Sequence, residues 1–198
     1  MPVNDEIFEF GKNIHALASY YLRGENIDKM EKSLSKKEAE VWNYLKSSKY
    51  FGYNVINTEY NLAVKIENHF FGGRLDALVK DGDNYYILDY KTGSAPMNPK
   101  YDYQTMIYTL CVNKFFKTDN VTFVYIDLKN KEEVSIPFSK EVENDYKNRL
   151  VEISKKLTVM NPLQKSLNVT TKITLFTPTL VNTQLFVTKF DSKFFKLL

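Results

Sequence analysis

The chain has 198 residues, of which 43% are hydrophobic and 26% charged, with a formal net charge of +3. These values are ordinary for one soluble domain with a real core. No run approaches the roughly 20 apolar residues that span a bilayer, the acidic start Met1-Pro2-Val3-Asn4-Asp5-Glu6 lacks a signal-peptide pattern, and a single cysteine excludes an internal disulfide, so the expectation is a cytoplasmic protein with no membrane partner.

In chain order, residues Glu6 to Leu22 read as a helix with Phe10, Ile14, Leu17 and Tyr21 on one stripe and His15 beside it. A histidine there is either packed at a helix–sheet boundary or a ligand. Ser35-Lys36-Lys37-Glu38 is a capping-box pattern opening a second helix to about Ser47, and Phe51-Gly52 ends it. Residues Val55 to Ile66 are β-rich, and Glu67-Asn68-His69 reads as a turn into a strand carrying Asp76. After a loop from Gly93 to Pro99 comes a helix from about Tyr101 to Phe116, with Cys111 expected as a buried thiol. Two runs, Val121 to Leu128 and Glu133 to Phe138, form a hairpin, and a helix follows to about Leu157. Two regions are expected: a main domain over 1–159 and an extension over 160–198, rich in Thr, Leu and Phe and without sustained periodicity.

The strongest local signal is Asp81-Gly82-Asp83-Asn84, a turn between two alternating runs. Counting outward pairs Asn84 with Asp81, Leu88 with Ala77 and Asp89 with Asp76. Leu75, Ala77 and Val79 then share an apolar face with Tyr86, Leu88 and Tyr90, while Arg74 and Asp76 lie beside Asp89 and Lys91 on the other. Opposed Cβ atoms in such a pair are about 4.5–5.5 Å apart. Two carboxylates that close repel unless a cation reverses the sign, and Mg²⁺ is usually held by one or two carboxylates with waters and phosphate oxygens. The competing reading is a solvated face of an ordinary hairpin. A one-residue slip of register would break the pairing.

Four elements in order, Gly11-x-x-x-His15, Gly73-Arg74-Leu75-Asp76, Asp89-Tyr90-Lys91-Thr92-Gly93 and Gln104-x-x-x-Tyr108, resemble the PD-(D/E)XK nuclease superfamily, and most of all its RecB-type exonuclease branch. The resemblance covers roughly Gly11 to Leu157. It implies an α/β fold with a restriction-endonuclease-like core, a central mixed β-sheet flanked by helices. It implies Asp76 and Asp89 as ligands of Mg²⁺ or Mn²⁺, helped by His15 and the Tyr90 carbonyl. Lys91 would orient or activate water and stabilise charge at the phosphate, and Gln104 and Tyr108 would face the substrate side, with Tyr108 a candidate for stacking on bases. Glu59 is either a further acid near the metal, as in relatives, or a surface glutamate. Many relatives of this branch carry four cysteines around an iron–sulfur cluster; with Cys111 alone, no iron–sulfur cluster is expected.

The resemblance implies a metal-dependent nuclease whose substrate is DNA, as single strands or duplex ends, acting as an exonuclease in repair, recombination or processing. The alternative is a non-catalytic nucleic-acid-binding or scaffold subunit with the same fold. A scaffold has no need of Asp76, Asp89 and Lys91 together.

Overall fold

The computed structural model describes residues 5–160, 171–173 and 185–189. Helix α1 (Asp5–Leu22) is followed by a short α2 (Asp28–Ser33), which has no periodic signal in so few residues, and by α3 (Lys36–Ser47). The predicted capping box forms: Ser35 Oγ accepts from the Glu38 N–H at 3.3 Å, and the Glu38 carboxylate accepts from the Ser35 N–H at 2.8 Å.

Strands β1 (Asn54–Ile66), β2 (His69–Asp81), β3 (Asn84–Lys91), β4 (Val121–Asp127) and β5 (Glu132–Pro137) build a sheet in the order β5-β4-β3-β2, with β1 along the opposite side of β2. The β3–β4 pair is parallel and the others are antiparallel, so the sheet is mixed. Helix α4 (Tyr103–Phe116) makes the crossover between the parallel strands, as such a connection requires. It starts two residues later than expected because Asp102 caps it, its side chain accepting from the Gln104 N–H at 2.9 Å after a tight turn at Pro99–Tyr101. Helix α5 (Lys140–Met160) closes the main body. From the C-terminal extension, β6 (Thr171–Ile173) pairs with β7 (Leu185–Lys189), and β7 pairs with the start of β2, from His69 to Gly72. This is an α/β fold consistent with a restriction-endonuclease-like core. Among the described residues, no helix is long and apolar enough to cross a membrane.

The sheet separates two cores. One face packs Phe71, Leu75, Leu78, Ile87, Phe123 and Tyr125 against α4 and, through Tyr146 and Leu150, against α5. The other packs Ala77, Val79, Leu88, Val124 and Ile126 against Ile14 and Leu17 of α1 and Trp42 and Leu45 of α3. Cys111 is buried in the first core, which pushes its thiol pKa up.

The face assignment departs from the period-two count at one place. Leu75 and Leu78 share a face, and Ala77 and Val79 share the other, so alternation changes phase at Asp76. The neighbouring strand does the same: Tyr60 packs on the α4 side, whereas Thr58 bonds Ser19 of α1. The residue between them, Glu59, has φ of 50°, a left-handed conformation that costs a non-glycine residue about 1–2 kcal/mol. Thr58 pairs with Ala77 and Tyr60 with Leu75, so Glu59 and Asp76 occupy the same break in the sheet.

Candidate active site

The hairpin turns where its residues predict, with Asp81 opposite Asn84 and Ala77 opposite Leu88. The paired register ends there, and Asp76 and Asp89 are not a cross-strand pair in it. The strands part because side chains replace backbone partners. The Asp76 carboxylate accepts from the Tyr90 N–H at 2.8 Å, and its other oxygen faces His15 Nδ1 at 3.1 Å. His15 Nε2 lies 2.9 Å from the Tyr90 carbonyl. Both imidazole nitrogens therefore meet acceptors, an arrangement that suits a doubly protonated ring.

The α1 helix reaches this point through Gly11, one turn before His15. A Cβ on Gly11 would sit 3.2 Å from the Thr92 hydroxyl oxygen, so a glycine lets the helix lie close to the chain leaving Lys91.

Asp89 and Lys91 lie on the α4 side of β3, both buried. Lys91 Nζ is 2.8 Å from Asp89 Oδ2 and donates to Gln104 Oε1 at 2.6 Å. The Gln104 amide donates to Asp89 Oδ1 at 3.0 Å. Gln104 thus locks the acid and the base to each other from inside the fold, its own position fixed by the first turn of α4. Tyr108 is not on the substrate side. It is fully buried, and its hydroxyl donates to the Arg74 carbonyl at 2.9 Å. The expectation that Tyr108 stacks on bases is corrected on that ground: α4 is covered on all sides, from Gln104 through Val112, so a residue one turn beyond Gln104 points into the core.

Glu59 completes the acidic group. Ligand atoms of His15, Glu59 and Asp76 all lie within 4.8 Å of one another, and Arg74 Nε is 2.8 Å from Glu59 Oε2. No local sequence signal marks Glu59, because its placement depends on the left-handed backbone between two ordinary β-residues. The charges suit a divalent cation. Burial and the neighbouring Asp76 raise the Glu59 pKa, with Arg74 opposing. Burial raises that of Asp89 despite Lys91. Burial also opposes ionisation of Asp76, yet His15 and the Tyr90 N–H hold it below the usual carboxylate range. Burial alone would lower the His15 pKa, but Asp76, with Asp89 and Glu59 behind it, carries it to about 9. A protonated His15 thus bridges the Asp76 carboxylate and the Tyr90 carbonyl. Hard carboxylate and carbonyl oxygens with one imidazole form a donor set for a divalent metal, and His15, Glu59, Asp76 and the Tyr90 carbonyl could hold one.

The cluster opens into a cleft lined on one wall by α1, at Lys12, His15, Ser19, Tyr20 and Arg23, and on the other by Arg74 and the end of β3. Arg74 belongs to the Gly73-Arg74-Leu75-Asp76 element, whereas Lys12 and Arg23 were not singled out by motif. The spacing of Lys12, Ser19 and Arg23 around His15 on one helix face is the signal that could have found them.

No curated protein matches the chain in sequence. The sequence model of the PD-(D/E)XK nuclease superfamily matches residues 4–168, a span that contains α1 with His15, the Asp76–Lys91 hairpin and α4 with Gln104. Members of that superfamily are nucleases that use divalent metals, which agrees with a cleft bearing a His–Glu–Asp group and a buried Asp–Lys pair. The chain belongs to the PD-(D/E)XK nuclease superfamily.

Proposed function

We propose that this protein hydrolyses DNA phosphodiester bonds with Mg²⁺ or Mn²⁺, as an exonuclease of the RecB-type branch acting on single strands or duplex ends. The observation that carries the reading is the meeting, at one cleft, of a His15–Asp76–Tyr90 carbonyl group with a buried Asp89–Lys91–Gln104 group. The Gln104-x-x-x-Tyr108 element on α4 supports the branch.

When bound, a divalent ion supplies Lewis acidity toward a phosphoryl oxygen and lowers the pKa of a coordinated water. The chain's own residues prepare the rest. Asp76, Glu59 and the Tyr90 carbonyl present oxygens toward the ion, and His15 presents a ring nitrogen once its proton leaves. Asp89 adds its charge from the far side of β3. An ammonium group has three N–H donors. Gln104 takes one of those on Lys91, and the Asp89 carboxylate lies against a second. The third has no hydrogen-bond partner among the described residues, and toward the attacking water or a phosphate oxygen a fixed positive charge would stabilise the charge that develops.

Linear DNA incubated with Mg²⁺ or Mn²⁺ should be degraded, with EDTA abolishing the product. Lys91→Met, which keeps most of the buried volume, should lose 10²-fold or more in rate. Digestion by Lys91→Met at the wild-type rate would remove Lys91 from the chemistry. Wild-type protein inert with every divalent metal would favour the scaffold reading.

A further inference from the structure

Arg23 is a cation of the cleft whose guanidinium is held by two neutral hydroxyls as well as by a carboxylate. Its Nη1 donates to Ser19 Oγ at 2.8 Å and reaches Thr58 Oγ1 at 3.3 Å, and its Nε donates to Glu25 at 2.6 Å. Ser19 and Thr58 are themselves bonded, at 2.8 Å, and both are buried. The guanidinium carbon sits 4.8 Å from the centre of the Tyr20 ring. Such an arrangement holds the planar fork in one orientation, while 40% of the side chain stays exposed, and its Nη2 edge has no hydrogen-bond partner among the described residues. An arginine serving only the fold would have no need of that open edge.

Two other cations lining the cleft, Arg74 and Lys12, have only a carboxylate partner among the described residues. Arg74 is paired with Glu59, and Lys12 carries an exposed ammonium 3.7 Å from Glu9. Arg23 also lies at a defined remove from the metal-binding residues. Ser19 is one turn, about 6 Å along the axis, past His15, Thr58 precedes Glu59, and the Arg23 guanidinium reaches back from just beyond α1 to bond both. A polyanion that places one phosphate at the metal group runs another past this fork. The two N–H donors left on Nη2, with the guanidinium's permanent positive charge, suit the oxygens of a phosphate.

We propose that Arg23, oriented by Ser19 and Thr58 and backed by Tyr20, is a second phosphate subsite that holds the strand at a phosphate neighbouring the one being cut. The site rests on the nuclease reading above. It makes α1 the element that both supplies a metal ligand and sets the strand's position relative to it.

Steady-state cleavage by the wild type, Arg23→Gln and Arg23→Lys should be measured on a linear single strand and on bis(p-nitrophenyl) phosphate, a diester with no second phosphate, across a series of salt concentrations. Arg23→Gln should raise KM for DNA by about tenfold to hundredfold, at least tenfold more than it raises KM for the small diester. The slope of log(kcat/KM) on DNA against log[salt] should shrink by about one unit. Arg23→Lys, which keeps the charge without the fork, should fall between the two and serves as the folded control. Equal losses on both substrates, or an unchanged KM and salt slope on DNA, overturn the subsite and leave the nuclease reading intact. A wild type inert on both substrates overturns both.

Discussion

Glu59 has a left-handed backbone in the middle of a long strand, at the point where both β1 and β2 change face. Strain of that kind persists only where the surroundings over-determine it. Here a partly exposed salt link to Arg74, together with the carboxylate's place beside His15 and Asp76, accompanies it. The strain and the carboxylate can be separated experimentally. Glu59→Ala removes the carboxylate and keeps the Cβ in the left-handed region, whereas Glu59→Gly removes both. Glycine should give the more stable protein of the two by up to about 1 kcal/mol, the relief of φ strain exceeding the entropy glycine adds to the unfolded chain. Both should lose metal-dependent cleavage alike. Denaturant unfolding of the pair checks this, and an alanine variant as stable as the glycine one would mean that Glu59 carries no strain. The turn at Asp81–Asn84 was legible because each residue type there has a local reason for its conformation. The phase change five residues upstream was not, because a glutamate in the left-handed region has no signature in the sequence. Counting by twos therefore put Leu75 with Ala77 and opposed Asp76 to Asp89.

Helix α4 shows what an element hides when it is buried on every side. Amphipathic spacing identifies a helix with one wet face. The run Gln104–Val112 has none, so its four-residue spacing of Gln104 and Tyr108 suggested a shared outward face that does not exist. Gln104 instead reaches the buried Lys91 and Asp89, and Tyr108 anchors the Arg74 carbonyl. Its ring also stacks on Phe123, 6.4 Å between centroids. Tyr108→Phe should therefore cost about 1 kcal/mol of stability for the lost hydrogen bond and the unsatisfied carbonyl, with KM for DNA unchanged. A weakened KM without loss of stability would return Tyr108 to the substrate. The crossover itself was readable: a strand, a proline-bearing loop, a helix and a second apolar strand in order imply a parallel pair. The joining of β6 and β7 to β2 was not, since three and five residues without periodicity carry no pairing signal.

At the scale of the whole molecule, the two faces of the sheet bring opposite contributions to one cleft: α1 brings His15, Lys12 and Arg23, and α4 brings Gln104. Without a metal, Glu59, Asp76 and Asp89 gather around His15, and stability should depend on pH in a way that identifies the proton on that ring. The His15 pKa is raised from 6.5 to about 9 in the folded state. The folded protein then binds more protons than the unfolded chain between those values, so stability falls as pH rises. The contribution is fully present below pH 6.5 and is lost as pH passes through about 9. Glu59 and Asp89, also raised, impose the same sign at lower pH, above the ordinary carboxylate range, while Asp76, held low, opposes them only in acid. Tm measured in EDTA should decline from pH 6.5 to 9, and His15→Gln should flatten that decline. Added Mn²⁺ should raise Tm by mass action. The gain should grow with pH across the same window, because a ligand nitrogen must lose its proton before it can bind a metal. A Tm gain independent of pH, or an undiminished slope in His15→Gln, would place the titrating proton elsewhere and remove His15 from the metal group.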